Sequence, residues 1–559
     1  MPRHPQAPHR RHPALPHLAA AHRRGQIDRR EFLARATALG IGAAAARQLA
    51  GIAPAQAAAP DRRIAPGGTL RIQQSVRALD EPRRYDWSEM GNQTRGFLEY
   101  LVEYRHDGSF GGMLLRDWEV GPDATRYRLH LRPGVRWNNG DAFTARDVAR
   151  NITAWCDSTV PGNSMATRFP GLIDPATGRA RDGAVVIDDP LTVTLHLSQP
   201  DIALIASMSD YPAAITHRSY DGGDPFAHGI GTGPFRPVTL EPGRLCVLER
   251  HPEHRWWGTA VFGGPWLDRV EFHDLGTDPL TWAKAAEAGE IDLLYDSVGA
   301  FIKRMDAIGW TRTRTRSAAT LVVRAHQRVQ VGGRTPYAAT PVRRALALAV
   351  DNAICLELGH RGRGEVAANH HVSPLHPAHA DIGPPEFDPA GARRMMAAAG
   401  MADFTHELVT LDDEWQRNTG DAVTAMLADA GIPVARRILP GAEFWTNWRS
   451  YPFSATEWNH RPLAVQIMNL AYRSDSPWNE TGFADPEFDA LVARASGQTD
   501  TMARRETMRA LETRMREAGV IIQPYWRALF NHHNGRLVNA ARHPANEIHL
   551  HYIGFAADG

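Results

Sequence analysis

The chain has 559 residues and is almost neutral, with 63 Lys+Arg against 62 Asp+Glu. Nine of the arginines fall in the first 57 residues, opposed only by Asp28 and Glu31, so that segment carries +7 and the other 502 residues carry −6. A mildly acidic body of that size excludes a nucleic-acid binder by electrostatics and is long enough for at least two core-forming units.

In chain order, residues 1–57 read as an export signal, not as a fold. Arg29-Arg30-Glu31-Phe32-Leu33 fits a twin-arginine pattern, an Ala/Gly-rich stretch runs from Ala36 to Ala53, and Ala55-Gln56-Ala57 supplies a small-residue cleavage site. The apolar stretch is too short and too weakly hydrophobic to span a bilayer. No Cys follows the cleavage site, so a soluble periplasmic protein cleaved near Ala57 is expected.

Beyond the signal, strand and helix patterns alternate, which makes the class mixed α/β. Tyr127, Leu129 and Leu131 alternate with polar residues as a half-buried strand does. Asn138-Asn139-Gly140-Asp141 is a turn cluster, and Thr144 caps a helix that places Val148, Ile152 and Trp155 on one face. Further helices are expected from Thr340-Pro341, from Asp388-Pro389 to Gly400, from Asp485-Pro486, and from Asp500 to Gly519. Cys156, Cys246 and Cys355 are far apart; one disulfide is possible in an oxidising compartment, but they read mostly as small core residues.

The block Leu131-Arg132-Pro133-Gly134-Val135-Arg136-Trp137 to Thr144-Ala145-Arg146-Asp147-Val148 resembles a signature of the periplasmic peptide/nickel class (family 5) of ABC-transporter solute-binding proteins. Leu70-Arg71-Ile72 with Leu79-Asp80, the hairpin Val185–Leu195, Gly231-Thr232-Gly233-Pro234-Phe235, Gly289-Glu290-Ile291-Asp292 and Thr340–Leu346 resemble further family segments in the expected order. Glu81 stands where the family's turn usually has Pro. The resemblance implies a two-lobed periplasmic binding protein of type II with an extra subdomain, its lobes joined by two hinge strands. Lobe I is expected over 67–275 plus 523–559, with the extra subdomain at about 85–205, and lobe II over 276–522. The crossings are expected near Val270–Asp274 and near Ile521–Tyr525.

No catalytic or nucleotide-binding spacing is found: there is no G-x-S-x-G, H-E-x-x-H or Walker A. The expectation is therefore a non-enzymatic protein with no catalytic residues and no cofactor, expected to be monomeric. It would take a small-molecule or peptide solute and deliver it to the membrane permease of an ABC importer. A periplasmic metal-chelate or nickel binder, and an enzyme on the same scaffold, are the alternatives.

The segment Ser454–Pro462 lies where peptide-binding members of the resembled family carry W-x-x-D. Trp458 matches the Trp, and Arg461 stands at the Asp. An unpaired charge in a closed cleft is costly, so the reversal implies an anionic group on the ligand, peptide-like, opine-like or sugar-like. The internal alternative is that Arg461 pairs with Glu457 or another acid. Asn459, Glu457, Trp478 and Tyr472 complete the expected ligand-binding set, and Asn479-Glu480 could add hydrogen bonds. Asn369–His379 holds four His (370, 371, 376, 379), a possible metal cluster by donor type, although the Pro-rich context favours an ordinary loop and no metal site is assigned.

Overall fold

A computed structural model describes residues 12–51, 63–476 and 478–557, with the side chain of Ala442 left out. The expected cleavage site Ala55-Gln56-Ala57 lies outside the described residues.

Unlike the signal-only reading, residues 12–51 are folded. Three helices, α1 (Leu15–Arg23), α2 (Arg29–Ala38) and α3 (Ala43–Ala50), pack on the body. Asp28 caps α2 by accepting from the Glu31 amide, and Phe32 and Leu33 are buried. This fold was not legible because α2 has no pronounced apolar stripe of its own; what covers it comes from residues far away in sequence.

The body follows with β1 (Thr69–Gln73) and a subdomain of four antiparallel strands. These are β2 (Leu115–Val120), β3 (Arg126–Leu131), β4 (Val185–Asp189) and β5 (Thr192–His196), in the order β2-β3-β5-β4. Helix α4 (Ala145–Trp155) packs against β4 and β5. Thr144 caps it as read from sequence, and Asp147 goes further by closing a capping box, accepting from the Thr144 amide at 2.8 Å; Val148, Ile152 and Trp155 are buried. In the segment Gly231–Phe235 the glycine is required, because a Cβ on Gly231 would run into the Phe97 carbonyl oxygen.

The main sheet has eleven strands and runs through both lobes. It contains β6 (Phe235–Glu241), β7 (Leu245–Arg250), β8 (Arg269–His273), β9 (Leu293–Leu294) and β10 (Thr311–Ala325). It continues with β11 (Gly364–Val366), β12 (His406–Leu411), β13 (Val434–Leu439), β14 (Phe453–Trp458) and β15 (Tyr525–His533). The order is β6-β7-β8-β1-β9-β15-β10-β14-β12-β13, with β11 also paired to β15. Strand β8 sits inside this sheet between β7 and β1, and the chain stays with that end through β9, which pairs with β1. The long antiparallel ribbon β10–β15 joins the two ends: Thr311 pairs with His533 near β9, while Thr320 to Ala325 pair with β14. After β15 the chain returns to the first end, where Asn546 bonds Asn92 and Leu537–Val538 pair with Gly554–Phe555.

In the second lobe, α5 (Thr340–Leu348) starts one residue earlier than expected, with Ala339 in place of Thr340 as its cap and Pro341 in its first turn. Then come α6 (Pro389–Ala398), α7 (Gly441–Asn447), α8 (Ala464–Ala471), α9 (Pro486–Gly497) and α10 (Thr501–Glu517). Asp388, Asp485 and Asp500 each cap their helix through the carboxylate, and Met508, Leu511 and Met515 point inward from α10. The three Cys are free and buried, so the possible disulfide is absent and their role is packing. Among the described residues no helix is long and apolar enough to cross a membrane.

Candidate functional site

A cavity of about 890 Å³ opens between the lobes. That is inside the range of small-molecule sites, about 300–1,000 Å³. One wall comes from the extra subdomain and its approach, including Asp86, Trp87 and Tyr211; the opposite wall comes from β14, α7 and the segment around Trp478. Of the expected site residues, Glu457, Trp458, Asn459, Arg461 and Trp478 line this cavity. Tyr472 does not: it is buried behind the wall, its hydroxyl 2.5 Å from Nδ1 of His371.

The wall is built on β14. Because side chains alternate along a strand, Thr456 and Trp458 share one face and Glu457 takes the other. On the first face the buried carboxylate of Glu480 accepts from Trp458 Nε1 at 2.7 Å and from Thr456 Oγ1 at 2.6 Å. Its counter-ion is Arg324 of β10, fully buried and 3.1 Å away. Arg324 also donates to the carbonyls of Tyr451 (2.5 Å) and Trp448. One buried ion pair thus fixes two tryptophans, one by its indole and one by its backbone. Trp448, Trp458 and Trp478 form a triangle with ring centroids 6.0–6.4 Å apart. Trp445 meets Trp87 of the opposite wall edge-to-face at 4.6 Å.

On the other face Glu457 accepts from Arg527 at 2.7 Å. Burial pushes its carboxyl up to about 7; Arg527 works against this, and the carboxylates of Asp413 and Asp296 add to it. A group raised in this way favours the folded state most at low pH, and that contribution fades as pH climbs from the usual carboxylate range through about 7.

Arg461 is buried and already has a counter-ion. Its Nε lies 3.3 Å from Asp210, whose same oxygen accepts from Arg168 at 2.8 Å. Burial alone would raise the Asp210 carboxyl, but Arg461 and Arg168 overcome it and hold it below its ordinary value. Arg461 also donates to the His460 carbonyl at 3.1 Å and sits over the Tyr211 ring. Of the two readings of Arg461 from sequence, an unpaired charge facing the ligand and an internal pair with Glu457 or another acid, the second describes the contact seen: the acid is Asp210, 251 residues earlier, while Glu457 is taken by Arg527. Two guanidinium groups around one carboxylate still leave a formal single positive charge. Asn459 accepts from Asn546 at 2.8 Å.

The four-His loop divides. His371 faces Tyr472, and His376 bonds the Ser373 amide and the Arg461 carbonyl. Only His370 and His379 converge, with Glu512 of α10, their ligand atoms within 4.8 Å of one another. Burial lowers His370 to about 3 and raises Glu512 to about 9, which keeps both neutral; Arg516 acts on both and would oppose a dication there. A second trio, His543, Glu547 and His549, has its nitrogens committed, His549 to Glu547 at 2.6 Å and His543 to the Tyr104 carbonyl at 3.1 Å.

Sequence reasoning missed Asp86, Trp87 and Tyr211 as wall residues. They sit on irregular segments some 250–370 residues before β14 and carry no periodic signal. Asp86 is exposed at the cleft and has no ion-pair partner among the described residues; partial desolvation by its surroundings raises its carboxyl, against the Arg77 charge.

Two lobes on a shared sheet, closing a tryptophan-walled cleft, define the ligand-trapping class of periplasmic binding folds. The chain belongs to the bacterial extracellular solute-binding proteins, family 5, whose model (family 5 Middle) matches residues 110–480. It is 25% identical over 324 residues to a dipeptide-binding protein of Pseudomonas aeruginosa, covering 55% of this chain and 58% of that relative, so the match spans somewhat over half the relative's length. Among solved structures it is similar to the binding protein AgaA of A. tumefaciens R10 in complex with agropinic acid, with TM-score 0.75, 20% identity, and coverage of 88% of this chain and 99% of that one. It is also similar to Haemophilus influenzae OppA in complex with the peptide RPPGFSPFR, with TM-score 0.77, 17% identity, and coverage of 88% and 100%. These two likenesses establish the fold.

Proposed function

We propose that the protein captures a small solute between its lobes and delivers it to the permease of an ABC importer, acting as a monomer after twin-arginine export to the periplasm. The observation that carries this reading is the interlobe cavity, with walls from both lobes and one of them ordered by a buried ion pair. The expected lobes, 67–275 with the return segment 523–559 and 276–522, are kept in outline, but β9 (Leu293–Leu294) pairs with β1 of lobe I, so the first crossing is taken on β10 and not near Val270–Asp274, and closure turns on the β10–β15 ribbon. The family's binding role supports a binding protein over an enzyme. The relatives' printed ligands, a dipeptide, agropinic acid and the peptide RPPGFSPFR, support a solute of that size range. Trp458 and Trp478 form the apolar wall, and Arg461 with Arg168 around Asp210 offers the net positive charge for an anionic group.

The test is calorimetric titration with a panel of dipeptides and of amino acid–sugar conjugates bearing an extra carboxylate. A carboxylate-rich solute should bind one to one. Arg461→Ala should weaken it by about 30-fold or more, since removing a charged partner in a closed cleft typically costs about 2–5 kcal/mol. Asp210→Asn, which removes the competing carboxylate, should bind the same solute at least as tightly as wild type. If Arg461→Ala binds as wild type, or a cationic peptide proves the preferred solute, Arg461 serves only the Asp210 contact and the anionic reading fails.

A further inference from the structure

The N-terminal segment carries more than an export address. Its three helices sit across a seam and touch both sides. Toward the extra subdomain, Trp118 Nε1 donates to the Ala38 carbonyl at 3.1 Å, the Phe110 amide donates to Thr37 Oγ1 at 2.9 Å, and Arg30 donates to the Tyr104 hydroxyl at 3.0 Å. Arg47 pairs with Asp107 at 2.5 Å. Toward the second lobe, Glu31 accepts from Arg505 of α10 at 2.9 and 3.1 Å and from the Ala378 amide at 3.0 Å, while Arg505 also donates to the Gln26 carbonyl at 2.8 Å. Glu31 holds Arg35 as well, at 2.7 Å, and Arg35 is itself buried.

The packing is specific. Phe32, Ala36 and Ala46 have no exposed surface, and Leu33 is 1% exposed. At Gly40, with φ +89°, a Cβ would strike the Trp118 carbonyl oxygen, so the turn between α2 and α3 fits this body only with glycine there. A signal that served only as a receptor-read address would need no such fit to residues 104–118 and 378–505.

We infer that residues 12–51 form an intramolecular interface with both lobes, a strap that ties the extra subdomain to α10 while the segment remains attached. Glu31 is its central contact, because one carboxylate joins α2, α10 and the 373–380 loop. Three consequences follow from the geometry. The strapped chain exchanges solute more slowly, because opening the cleft pulls the two anchor sets apart. Phe32 and Leu33, which belong to the twin-arginine pattern, are covered while docked, so a receptor reads them only after the strap lifts. Loss of the segment exposes the apolar surface it covers.

The test uses the full chain, purified uncleaved, and does not depend on knowing the solute. Limited trypsin digestion followed by mass spectrometry reads the rate of cleavage at the arginines between Arg23 and Arg47. Wild type should be cut slowly. Glu31→Arg and Arg505→Glu should each raise that rate about tenfold, the factor that 1.4 kcal/mol of lost docking would give. The double exchange, Glu31→Arg with Arg505→Glu, should bring it below the rate of either single variant, because opposite charges again face each other, but not to the wild-type value, since Arg35 and the Ala378 amide lose their acceptor. Rescue by the double variant also separates loss of docking from misfolding. If the wild-type segment is cut as fast as in the single variants, or the single variants stay protected, the strap is overturned. Either result leaves the export and solute-binding readings untouched, since neither rests on docking.

Discussion

Glu480→Ala should lower stability toward denaturant by about 3–5 kcal/mol, the usual cost of removing one member of a buried ion pair. It should also weaken solute binding beyond what the lost stability explains. The carboxylate serves three groups at once: the Arg324 guanidinium at 3.1 Å, the Trp458 indole N–H at 2.7 Å and the Thr456 hydroxyl at 2.6 Å. Its removal strands a buried cation and leaves two donors without an acceptor, each costing about 1–3 kcal/mol when unsatisfied. Burial already pulls the Arg324 pKa below its ordinary value against the opposing effect of Glu480. A double variant, Arg324→Met with Glu480→Leu, should recover much of the stability, because an apolar pair can replace a buried ion pair. It should not recover binding, since Trp458 and the Trp448 carbonyl lose their anchors. Wild-type melting and wild-type affinity for Glu480→Ala would show that the wall does not depend on this pair.

Changing Arg29 and Arg30 together to Lys should abolish periplasmic accumulation and leave an uncleaved cytoplasmic precursor. The expected effect is close to complete because a receptor-read address tolerates little change at its defining residues. The fold gives a control. Lys keeps the positive charge near Tyr104, so the melting curve of the precursor should move by no more than about 0.5 kcal/mol equivalent, as for ordinary surface substitutions. Loss of export with an unchanged melting curve assigns the arginine pair to export. Normal accumulation of the double variant would sink the twin-arginine reading.

Much of the fold was legible where local chemistry is self-sufficient. The Thr144 cap with Asp147 in the first turn and the helix starts at Asp388, Asp485 and Asp500 all follow from short-range demands, and each stands where the residues put it. The cleft wall on β14 was legible because Trp458 and Trp478 lie close together in sequence and Arg461 stood out against its pattern. What it pairs with was not, since Asp210 and Arg168 lie 251 and 293 residues earlier in the chain and meet Arg461 only in the folded molecule. The opposite wall at Asp86 and Trp87 was invisible for the same reason. Tyr472 was misplaced because proximity in sequence says nothing about which side of a wall a residue faces. The N-terminal helices escaped because short, Ala-rich, Arg-bearing segments look alike whether they are signals or docked elements; only Trp118, Tyr104 and Arg505, distant in sequence, distinguish them.

Native mass spectrometry of the protein purified from the periplasm under non-denaturing conditions tests the solute-binding claim most directly. The account predicts one small molecule per chain, of a size that fits the 890 Å³ cleft, released intact and unchanged on denaturation. Trp458→Ala should elute without it. A protein that is always bare and takes up nothing from a periplasmic extract, or one that returns the molecule chemically altered, would contradict a solute-capturing function.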